Sequence, residues 1–357
     1  MVSSVIACSD AAAVRKGEEL DAAALTEYLR GKLEGVDSGI RIQQFPSGHS
    51  NLTYLLASEH REYVLRRAPL GPVAPKAHDM AREYHVLRAL HPRFAEAPNV
   101  FHLCEDPGVI GAVFYIMDRR RGIILRDRVP EQIERFPDHG RVISEAFIDC
   151  IVRLHGVDID SSGLLGLGKP EGFLERQVRG WSERWQRSKT EDLPAMEAVM
   201  KWLNEELPRS APATLVHNDY KLDNVMLTAE SPGRIEAVLD WEMATIGDPL
   251  VDVGLTLCYW HWAAAPELGS HGVPALTAGP GWYSREEFIK RYAQRTGRDL
   301  TRISYYEIFG IFKLGVILQQ IYYRFHRGQT SDARFRDFDG RVKGLAKLAA
   351  ALVERRI

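Results

Sequence analysis

The sequence has few cysteines, and no two of them lie close together. Its 357 residues include four cysteines, and no C-x-x-C pair occurs. The cysteines stand far apart along the chain, at Cys8, Cys104, Cys150 and Cys258. A zinc ribbon or a disulfide framework is therefore not expected, and a reducing compartment fits this pattern.

The sequence also lacks an excess of charge of either sign. Its 46 Lys and Arg residues nearly balance its 48 Asp and Glu residues, which gives a net charge of −2. No overall charge therefore drives binding to nucleic acid or to an anionic membrane, and we expect neither as a partner. The sequence leaves the oligomeric state open.

No apolar run is long enough to predict a membrane span. The late run at residues 308–323 is interrupted by Lys313, and it falls short of the roughly 20 residues that a span needs. This run predicts a buried helix instead. The short apolar stretch near the start has no basic residues before it, so an export signal is not expected. We therefore expect a cytoplasmic protein.

The first third of the chain carries mostly strand patterns. Residues 1–20 are small and polar and predict a flexible tail, and Asp21 is a candidate N-cap of the helix that follows. Residues 39–69 contain three short segments rich in β-branched and aromatic residues, which predict antiparallel strands. Residues 75–90 have helical period, and residues 111–118 predict another strand.

The remainder of the chain is mostly helical in pattern. From residue 141 onward amphipathic segments follow one another, interrupted by short strand-like pieces within residues 212–242. Strands followed by helices predict an α+β protein with two lobes. We expect a β-rich lobe over residues 21–118 and a larger, mainly helical lobe over residues 119–357. The junction should fall near Tyr115 to Gly122.

The most informative segment contains the strings "HNDYKLDN" and "LDWE". His217, Asp219 and Asn224 have the spacing H-x-D-x-x-x-x-N, and Asp240 follows sixteen residues after Asn224. A strand–turn–strand would bring Asn224 and Asp240 together. One amide oxygen and one carboxylate suit Mg²⁺, which takes further ligands from substrate phosphates and water. Asp219 is then placed to accept a proton from a substrate hydroxyl.

These motifs resemble the catalytic signature of the aminoglycoside phosphotransferase and choline kinase-like family. The resemblance extends over most of the chain and implies a bilobal, protein-kinase-like fold of the α+β class. Two further strings, "DWEMATIGDPLVDVG" and "YYRFHRGQT", resemble the kinase-like domains that are fused to acyl-CoA dehydrogenases. In the first of them, Asp248 and Asp252 are expected to be helix caps or loop braces.

The resemblance implies a role for each residue of the polar segment. Asp219 would be the catalytic base, Asn224 and Asp240 the magnesium ligands, and His217 the support of the loop. In protein kinases, a lysine two residues after the base faces the transferred phosphate. Lys221 has this offset, and it is either such a phosphate contact or a solvated loop lysine.

The nucleotide side of the site has a weaker signature. A single glycine, Gly48, stands in the turn between the first two predicted strands, and Ser50 and Asn51 offer hydrogen-bond donors beside it. This turn is either a cover over the phosphates of ATP or an ordinary hairpin. The resemblance places the adenine contact in the backbone from Ile116 to Asp118.

The third predicted strand departs from the kinase pattern. Protein kinases have V-A-I-K there, and the matching position in "VLRR" is Arg66, which is able to grip phosphate bidentately. Strand side chains alternate, so only one of Arg66 and Arg67 faces the nucleotide. We favour Arg66 because Tyr63 and Leu65 would share the opposite face. Glu83, on the following helix, is expected to pair with Arg66.

Positive charge in the late helices bears on the acceptor. The arginines concerned are Arg176, Arg179, Arg184, Arg324 and Arg327. Unless nearby Glu residues pair with them, they suit an anionic acceptor better than a polycationic aminoglycoside. We predict a small-molecule kinase that uses ATP and Mg²⁺, with a hydroxyacyl-CoA or another non-antibiotic alcohol as acceptor. A nucleotide-binding module without turnover and a true aminoglycoside kinase stay open. A protein kinase is disfavoured because the chain has no D-F-G.

Overall fold

The computed structural model describes residues 10–46, 51–70, 78–260, 275–330 and 332–355. The chain divides into two compact units between Arg121 and Gly122. This division lies inside the range, Tyr115 to Gly122, in which the sequence predicts a junction. We call residues 1–121 unit 1 and residues 122–357 unit 2.

Unit 1 contains a five-stranded antiparallel sheet and two helices in its described residues. The strands are β1 (Arg41–Gln44), β2 (Leu52–Ala57), β3 (Glu62–Arg67), β4 (Val100–Cys104) and β5 (Phe114–Asp118), and the helices are α1 (Ala22–Leu29) and α2 (Met80–Leu90). The sheet order is β1-β2-β3-β5-β4. The four predicted strands are confirmed, whereas the sequence pattern did not predict β4.

Helix α1 begins at a capped residue and covers one face of this sheet. The Asp21 side chain accepts the N–H groups of Ala23 and Ala24, each at 2.9 Å, and so satisfies donors at the start of the helix. Leu25 and Leu29 are fully buried in a core that also contains residues of β2, β3 and β5. Burial of each leucine side chain contributes about 1.5–3 kcal/mol.

Helix α2 presents the predicted apolar face. It begins after Asp79, whose side chain accepts the N–H of Arg82 at 2.9 Å. The residues predicted to share a face are all buried, and they are Met80, Tyr84, Leu87 and Leu90. Glu83 is also buried, with 1% of its surface exposed. A carboxylate is rarely buried unless a cation or a hydrogen-bond donor contacts it, so we expect Glu83 to have such a partner.

Residues 10–20 do not form the flexible tail that the sequence predicts over residues 1–20. Ala12 exchanges both backbone hydrogen bonds with Gln44, each at 2.8 Å, so this segment pairs with the end of β1. The Arg15 N–H donates to the Gln44 side chain at 2.9 Å. The expectation failed because a single backbone bridge carries no periodic side-chain signal. Residues 1–9 lie outside the described residues.

Unit 2 is mainly helical, with short strands. Its helices are α3 (Glu131–Glu134), α4 (His139–His155), α5 (Phe173–Ser188), α6 (Pro194–Glu205), α7 (Leu250–Cys258), α8 (Arg285–Thr296), α9 (Ile303–His326) and α10 (Phe338–Glu354). Its strands are β6 (Ile123–Ile124), β7 (Thr214–Val216), β8 (Val225–Leu227), β9 (Ile235–Val238) and β10 (Thr245–Gly247). One small sheet has the order β6-β8-β9, and β7 pairs with β10. The predicted α+β class is confirmed.

Two packed helices hold the polar segment of unit 2 in place. Helix α9 contains the apolar run at residues 308–323 and is buried along most of its length, as the sequence predicts. Helix α7, which the sequence analysis did not identify, packs against α9 at Gly254, where a Cβ atom would collide with the carbonyl group of Tyr306. Within the described ranges, no helix combines the length and the apolar character that crossing a membrane requires.

Candidate active site

The candidate site of unit 2 follows strand β7. Residues 214–216 pair with β10, and the chain then turns through His217 and Asn218. Asn218 has a left-handed backbone conformation, with φ = 65°. This conformation is uncommon outside glycine, although asparagine tolerates it better than most residues. The turn therefore needs contacts that hold it.

Asp252 on α7 supplies those contacts. Its carboxylate oxygens accept the backbone N–H groups of His217 and Asn218, each at 2.6 Å. The His155 ring lies 3.2 Å from the same carboxylate, and both of these side chains are fully buried. Burial alone would raise the pKa of Asp252, but the His155 hydrogen bond and the interactions with His155 and His217 hold it below its usual value. Asp252 is thus a loop brace, as expected.

Asp248 is the second expected brace. It accepts the N–H of Leu250 at 3.0 Å at the start of α7. It also accepts the Tyr306 hydroxyl at 2.7 Å and the Ala211 N–H at 3.1 Å. Burial raises the pKa of Asp248, and the Tyr306 hydrogen bond opposes that rise. Asp248 therefore links the start of α7 to α9.

His217 connects the loop to the hairpin behind it. Its Nε2 lies 2.9 Å from the carbonyl oxygen of Leu239, which can only accept, so Nε2 carries the proton. Its Nδ1 then accepts the backbone N–H of Asp219 at 3.2 Å. Both ring nitrogens are used within the protein. These are the contacts of a residue that supports the loop, and they leave no nitrogen for a substrate.

Asp219 has one anchored and one open carboxylate oxygen. Oδ2 accepts the Asn224 side-chain amide at 2.8 Å and lies 3.0 Å from Lys221 Nζ. In the part of the chain that the structure describes, Oδ1 has no hydrogen-bond partner. The Asp219 side chain is 22% exposed, so a small molecule can reach it. This arrangement fixes the direction of the carboxylate and leaves one oxygen able to accept a proton.

The two predicted metal ligands stand at the same end of a β-hairpin. Val225 of β8 pairs with Val238 of β9, and the N–H of Leu239 donates to the Asn224 carbonyl at 2.8 Å. This bond brings Asn224 beside Asp240, the residue after Leu239. The Asn224 side-chain nitrogen is directed at Asp219, so its amide oxygen remains for another partner.

One amide oxygen and one carboxylate fit Mg²⁺ better than a metal that needs a protein cage. Among the described residues, no group of three or more His, Cys, Asp or Glu residues gathers as a metal site. Mg²⁺ commonly binds through one or two protein oxygens together with phosphates and water. Asn224 and Asp240 would hold it in this way, and their metal role stays a prediction.

Lys221 lies against the base rather than in open solvent. Its Nζ is 3.0 Å from Asp219 Oδ2 and 5.3 Å from the centre of the Tyr259 ring. Burial lowers the pKa of Lys221, but the surrounding groups, Tyr259, Asp219 and Asp223, outweigh burial and raise it. Lys221 is therefore a charged neighbour of Asp219, and its contact with phosphate stays a prediction.

Unit 1 contains the predicted ion pair. Arg66 Nε lies 3.1 Å from Glu83 Oε2, and the Glu83 side chain is 1% exposed. Arg67 points to the other face of β3, where it donates to the carbonyl of Ile110 at 2.9 Å. Tyr63 and Leu65 lie in the core of that other face. Strand alternation thus correctly predicts that Arg66, and not Arg67, contacts Glu83. A contact between Arg66 and phosphate stays a prediction.

The other nucleotide residues are only partly described. Gly48 and Ser50 lie outside the described residues. Asn51 is buried, and its side-chain oxygen accepts a hydrogen bond from His78 Nδ1 at 2.8 Å. Ile116 lies in the middle of β5, between β3 and β4. The roles of Asn51 and Ile116 in nucleotide binding stay predictions.

The backbone of Asp118 is already engaged at the end of β5. Its N–H donates to the carbonyl of Asn99 at 2.8 Å, and its Oδ1 accepts the Asn99 N–H at 3.0 Å. Burial raises the pKa of Asp118, and Arg120 opposes that rise. A nucleotide base would therefore have to use backbone groups of this segment other than the Asp118 N–H.

One residue of the loop environment was not predicted from the sequence. Lys313, which appeared only as an interruption of an apolar run, donates from α9 to the carbonyl of Asn218 at 2.9 Å. The available signal was a single lysine inside an otherwise apolar stretch of α9. Its partner is 95 positions away in sequence, so no local pattern identifies it.

Residues 41–306 match the family model described as the phosphotransferase enzyme family. Among curated proteins, acyl-CoA dehydrogenase family member 10 of Mus musculus is 34% identical over 339 residues, which cover 94% of this chain and 31% of the mouse protein. The chain thus spans about a third of that relative's length. This similarity confirms the resemblance to the domains that accompany acyl-CoA dehydrogenases.

Solved structures give the same assignment. A Ralstonia eutropha JMP134 protein described as an aminoglycoside phosphotransferase is 32% identical, with a TM-score of 0.81 over 94% of this chain and 99% of that one. A ternary complex of aminoglycoside phosphotransferase APH(4)-Ia with AMP-PNP and hygromycin B is 17% identical, with a TM-score of 0.58 over 92% and 99% of the chains. The second likeness shows the protein-kinase-like fold alone. On the family match over most of its length, the chain belongs to the phosphotransferase enzyme family.

Proposed function

We propose that the protein transfers the γ-phosphate of ATP to a hydroxyl group of a small molecule, with Mg²⁺ as the metal. The observation that carries this proposal is the state of the Asp219 carboxylate. Asn224 and Lys221 anchor Oδ2, while Oδ1 has no hydrogen-bond partner in the described part of the chain. A carboxylate held in this way can orient a hydroxyl and take its proton.

In the proposed reaction, the acceptor oxygen forms a bond to the γ-phosphorus, and the bond from that phosphorus to the bridging oxygen of ADP breaks. The hydroxyl proton passes to Asp219 Oδ1. Asn224 and Asp240 would hold the metal, which neutralises charge on the phosphates when it is bound. Lys221 supplies a further positive charge beside the base.

The choice of ATP as donor rests on unit 1 and on one relative. A guanidinium that a carboxylate aligns, as Glu83 aligns Arg66, grips phosphate oxygens in a defined direction. The solved complex of APH(4)-Ia contains AMP-PNP, an ATP analogue, beside its antibiotic. We extend that donor to this chain as part of the proposal.

For the acceptor we propose an anionic or neutral alcohol, with hydroxyacyl-CoAs as the first class to test. The name of the mouse relative supports this class. The Arg184 guanidinium lies 4.3 Å from the centre of the Trp181 ring and has no hydrogen bond or ion pair with a described residue, so its charge is available. Arg176, in contrast, is held by the carbonyl groups of Lys169 and Glu171. A polycationic antibiotic would gain no binding energy from this positive charge.

The test combines a binding measurement with a substrate screen. Calorimetry with ATP and Mg²⁺ should show binding that weakens strongly in Asp240→Ala. ATP consumption would then be measured with hydroxyacyl-CoAs, choline-like alcohols, sugars and aminoglycosides. We expect turnover with an anionic or neutral alcohol.

Three results would contradict the proposal in different ways. Absence of ATP binding at saturating Mg²⁺ would exclude a kinase. Binding without turnover for any acceptor would identify a nucleotide-binding module. Efficient phosphorylation of aminoglycosides would identify an antibiotic kinase instead.

A further inference from the structure

Lys313 is a buried cation in the middle of the apolar helix α9. Its exposed fraction is 1%, and its neighbours along the helix are mostly apolar. In the described part of the chain it has no carboxylate within ion-pair distance. Burying an ammonium group costs several kcal/mol unless nearby groups compensate it. A methionine would fill a similar volume without that cost, so packing alone does not account for a lysine here.

The side chain of Lys313 makes one hydrogen bond with a described residue, and that residue lies in the catalytic loop. Nζ donates to the carbonyl oxygen of Asn218 at 2.9 Å. That carbonyl belongs to the peptide unit that joins Asn218 to Asp219. The N–H of the same unit donates to His217 Nδ1 at 3.2 Å. The peptide plane immediately before the candidate base is therefore held at both ends, by Lys313 on one side and by His217 on the other.

This peptide unit adjoins the strained residue of the loop. Asn218 has φ = 65°, and a non-glycine residue in this region persists only where surrounding contacts fix it. Asp252 fixes its N–H at 2.6 Å, and Lys313 fixes its carbonyl at 2.9 Å. Without Lys313 only the contact with His217 holds the plane of the Asn218–Asp219 peptide, so the peptide can tilt and change the direction of the Asp219 side chain.

Charged groups on several elements face the Lys313 ammonium. Burial lowers the pKa of Lys313 to about 8, Asp219 and Asp252 act to raise it, and Arg184 on α5 acts to lower it. Cys258 on α7 also acts to raise it. The carboxylates of the loop and of α7 thus offset part of the burial penalty, although neither forms an ion pair with Lys313.

We propose that Lys313 is a positioning residue that holds the Asn218–Asp219 peptide so that Asp219 Oδ1 is directed at the acceptor hydroxyl. The proposal rests on the proposed phosphotransferase function. Lys313 does not touch the substrate, since it is buried and its side chain, among the described residues, donates only to the loop backbone. Its effect should appear in the chemical step and not in nucleotide binding.

The experiment compares Lys313→Met with Gln319→Met in the full-length protein. Gln319 is a matched control because it is also a buried polar residue of α9 and also donates to a backbone carbonyl, that of Ser188 at 2.8 Å. Ser188 ends α5 and lies outside the catalytic loop. For each variant, kcat, acceptor KM, the ATP dissociation constant and the thermal midpoint would be measured.

We expect Lys313→Met to lower kcat by about 10²-fold, the loss that a small misplacement of a reacting group causes. Acceptor KM and ATP affinity should change less than threefold, roughly within the range expected of groups that bind neither ligand. Gln319→Met should keep kcat within about twofold of the wild type, whatever its thermal midpoint, since it touches no reacting group. Burial lowers the pKa of Lys313 to about 8, and a neutral amine donates a weaker hydrogen bond than an ammonium group. The wild-type rate should therefore also fall as the pH rises past about 8, and Lys313→Met should lack this limb.

Other outcomes overturn the inference. A Lys313→Met enzyme with normal kcat would make Lys313 a packing residue. Equal losses of kcat and of ATP affinity would indicate a general distortion of the site. Equal kcat losses in both variants would trace the effect to α9 as a whole. If the wild-type protein turned over no acceptor, that result would contradict the proposed function itself, and the positioning role of Lys313 would be excluded together with it.

Discussion

The carboxylate of Asp252 accepts the backbone N–H of Asn218 at 2.6 Å, so helix α7 fixes the residue that directly precedes the candidate base. The same carboxylate accepts the His217 N–H and contacts His155. Hydrogen bonds and other interactions with His155 and His217 outweigh burial and lower the pKa of Asp252 in the folded protein. The charged carboxylate therefore stabilises the fold at neutral pH, and this contribution is lost as the pH falls through the folded-state pKa.

We expect Asp252→Asn to lose about 3–5 kcal/mol of unfolding free energy at pH 7, because the variant leaves buried donors without a charged acceptor. The difference from the wild type should begin to shrink below about pH 4, where Asp252 of the unfolded wild type takes up a proton, and it is lost as the pH falls through the lower folded-state pKa. Urea unfolding followed by tryptophan fluorescence measures this, and all seven tryptophans lie in residues 181–282, within unit 2. An equal difference at pH 7 and pH 3 would contradict the assignment.

The second prediction concerns the ion pair of unit 1. Glu83→Gln keeps the shape of the side chain but removes the charge that aligns Arg66 at 3.1 Å. We expect the ATP dissociation constant to rise about tenfold, which corresponds to about 1.4 kcal/mol of binding free energy, because Arg66 loses the charge that aligns it toward phosphate. Calorimetry with ATP and Mg²⁺ gives the value. The control is Glu62→Gln. It removes the more exposed ion pair between Glu62 and Arg121, whose charged atoms lie 2.6 Å apart, and it should leave ATP affinity unchanged.

The parts of the site that were predictable from the sequence lie within short stretches of chain. Asn224 lies beside the residue that precedes Asp240, because the hairpin of β8 and β9 pairs their neighbours. Arg66 was separated from Arg67 by strand alternation, which depends only on neighbouring residues. The brace role of Asp252 came from the family resemblance, although its helix was not identified. Local sequence patterns therefore indicate the candidate site residues more readily than the helix that holds their loop in place.

The parts that were missed depend on contacts between distant segments. Lys313 reaches Asn218 across 95 positions, and Ala12 pairs with Gln44 through backbone atoms alone. Neither contact leaves a periodic signal in its own segment. Strand β4 was missed in the same way, because its pairing with β5 decides its structure. A strand that tertiary pairing creates has only a weak propensity signature.

The third prediction tests the packing that places α7. Gly254→Ala would push a Cβ atom into the carbonyl group of Tyr306 on α9. We expect a loss of about 1–3 kcal/mol in the free energy of unfolding, the usual effect of overpacking. Gly180→Ala on α5 is the matched control, since nothing lies within 4 Å of its added Cβ. That variant should gain about 0.5–1 kcal/mol, because alanine suits a helix interior better than glycine. Similar effects of both changes in urea unfolding would refute the packing argument.

The last prediction separates chemistry from nucleotide binding at Asp219. Asp219→Asn keeps the shape of the side chain but removes the charge that accepts the hydroxyl proton at Oδ1. We expect kcat to fall by about 10²–10⁴-fold, the usual contribution of a positioned base. ATP affinity should change little, because Asn224 and Asp240, not Asp219, are the proposed metal ligands. Turnover kinetics on the acceptor and calorimetry with ATP measure the two effects separately, with Asp240→Ala as the control that loses ATP affinity. Normal turnover in Asp219→Asn would remove the residue from the mechanism, and a loss of ATP affinity equal to that of Asp240→Ala would assign it to the metal site.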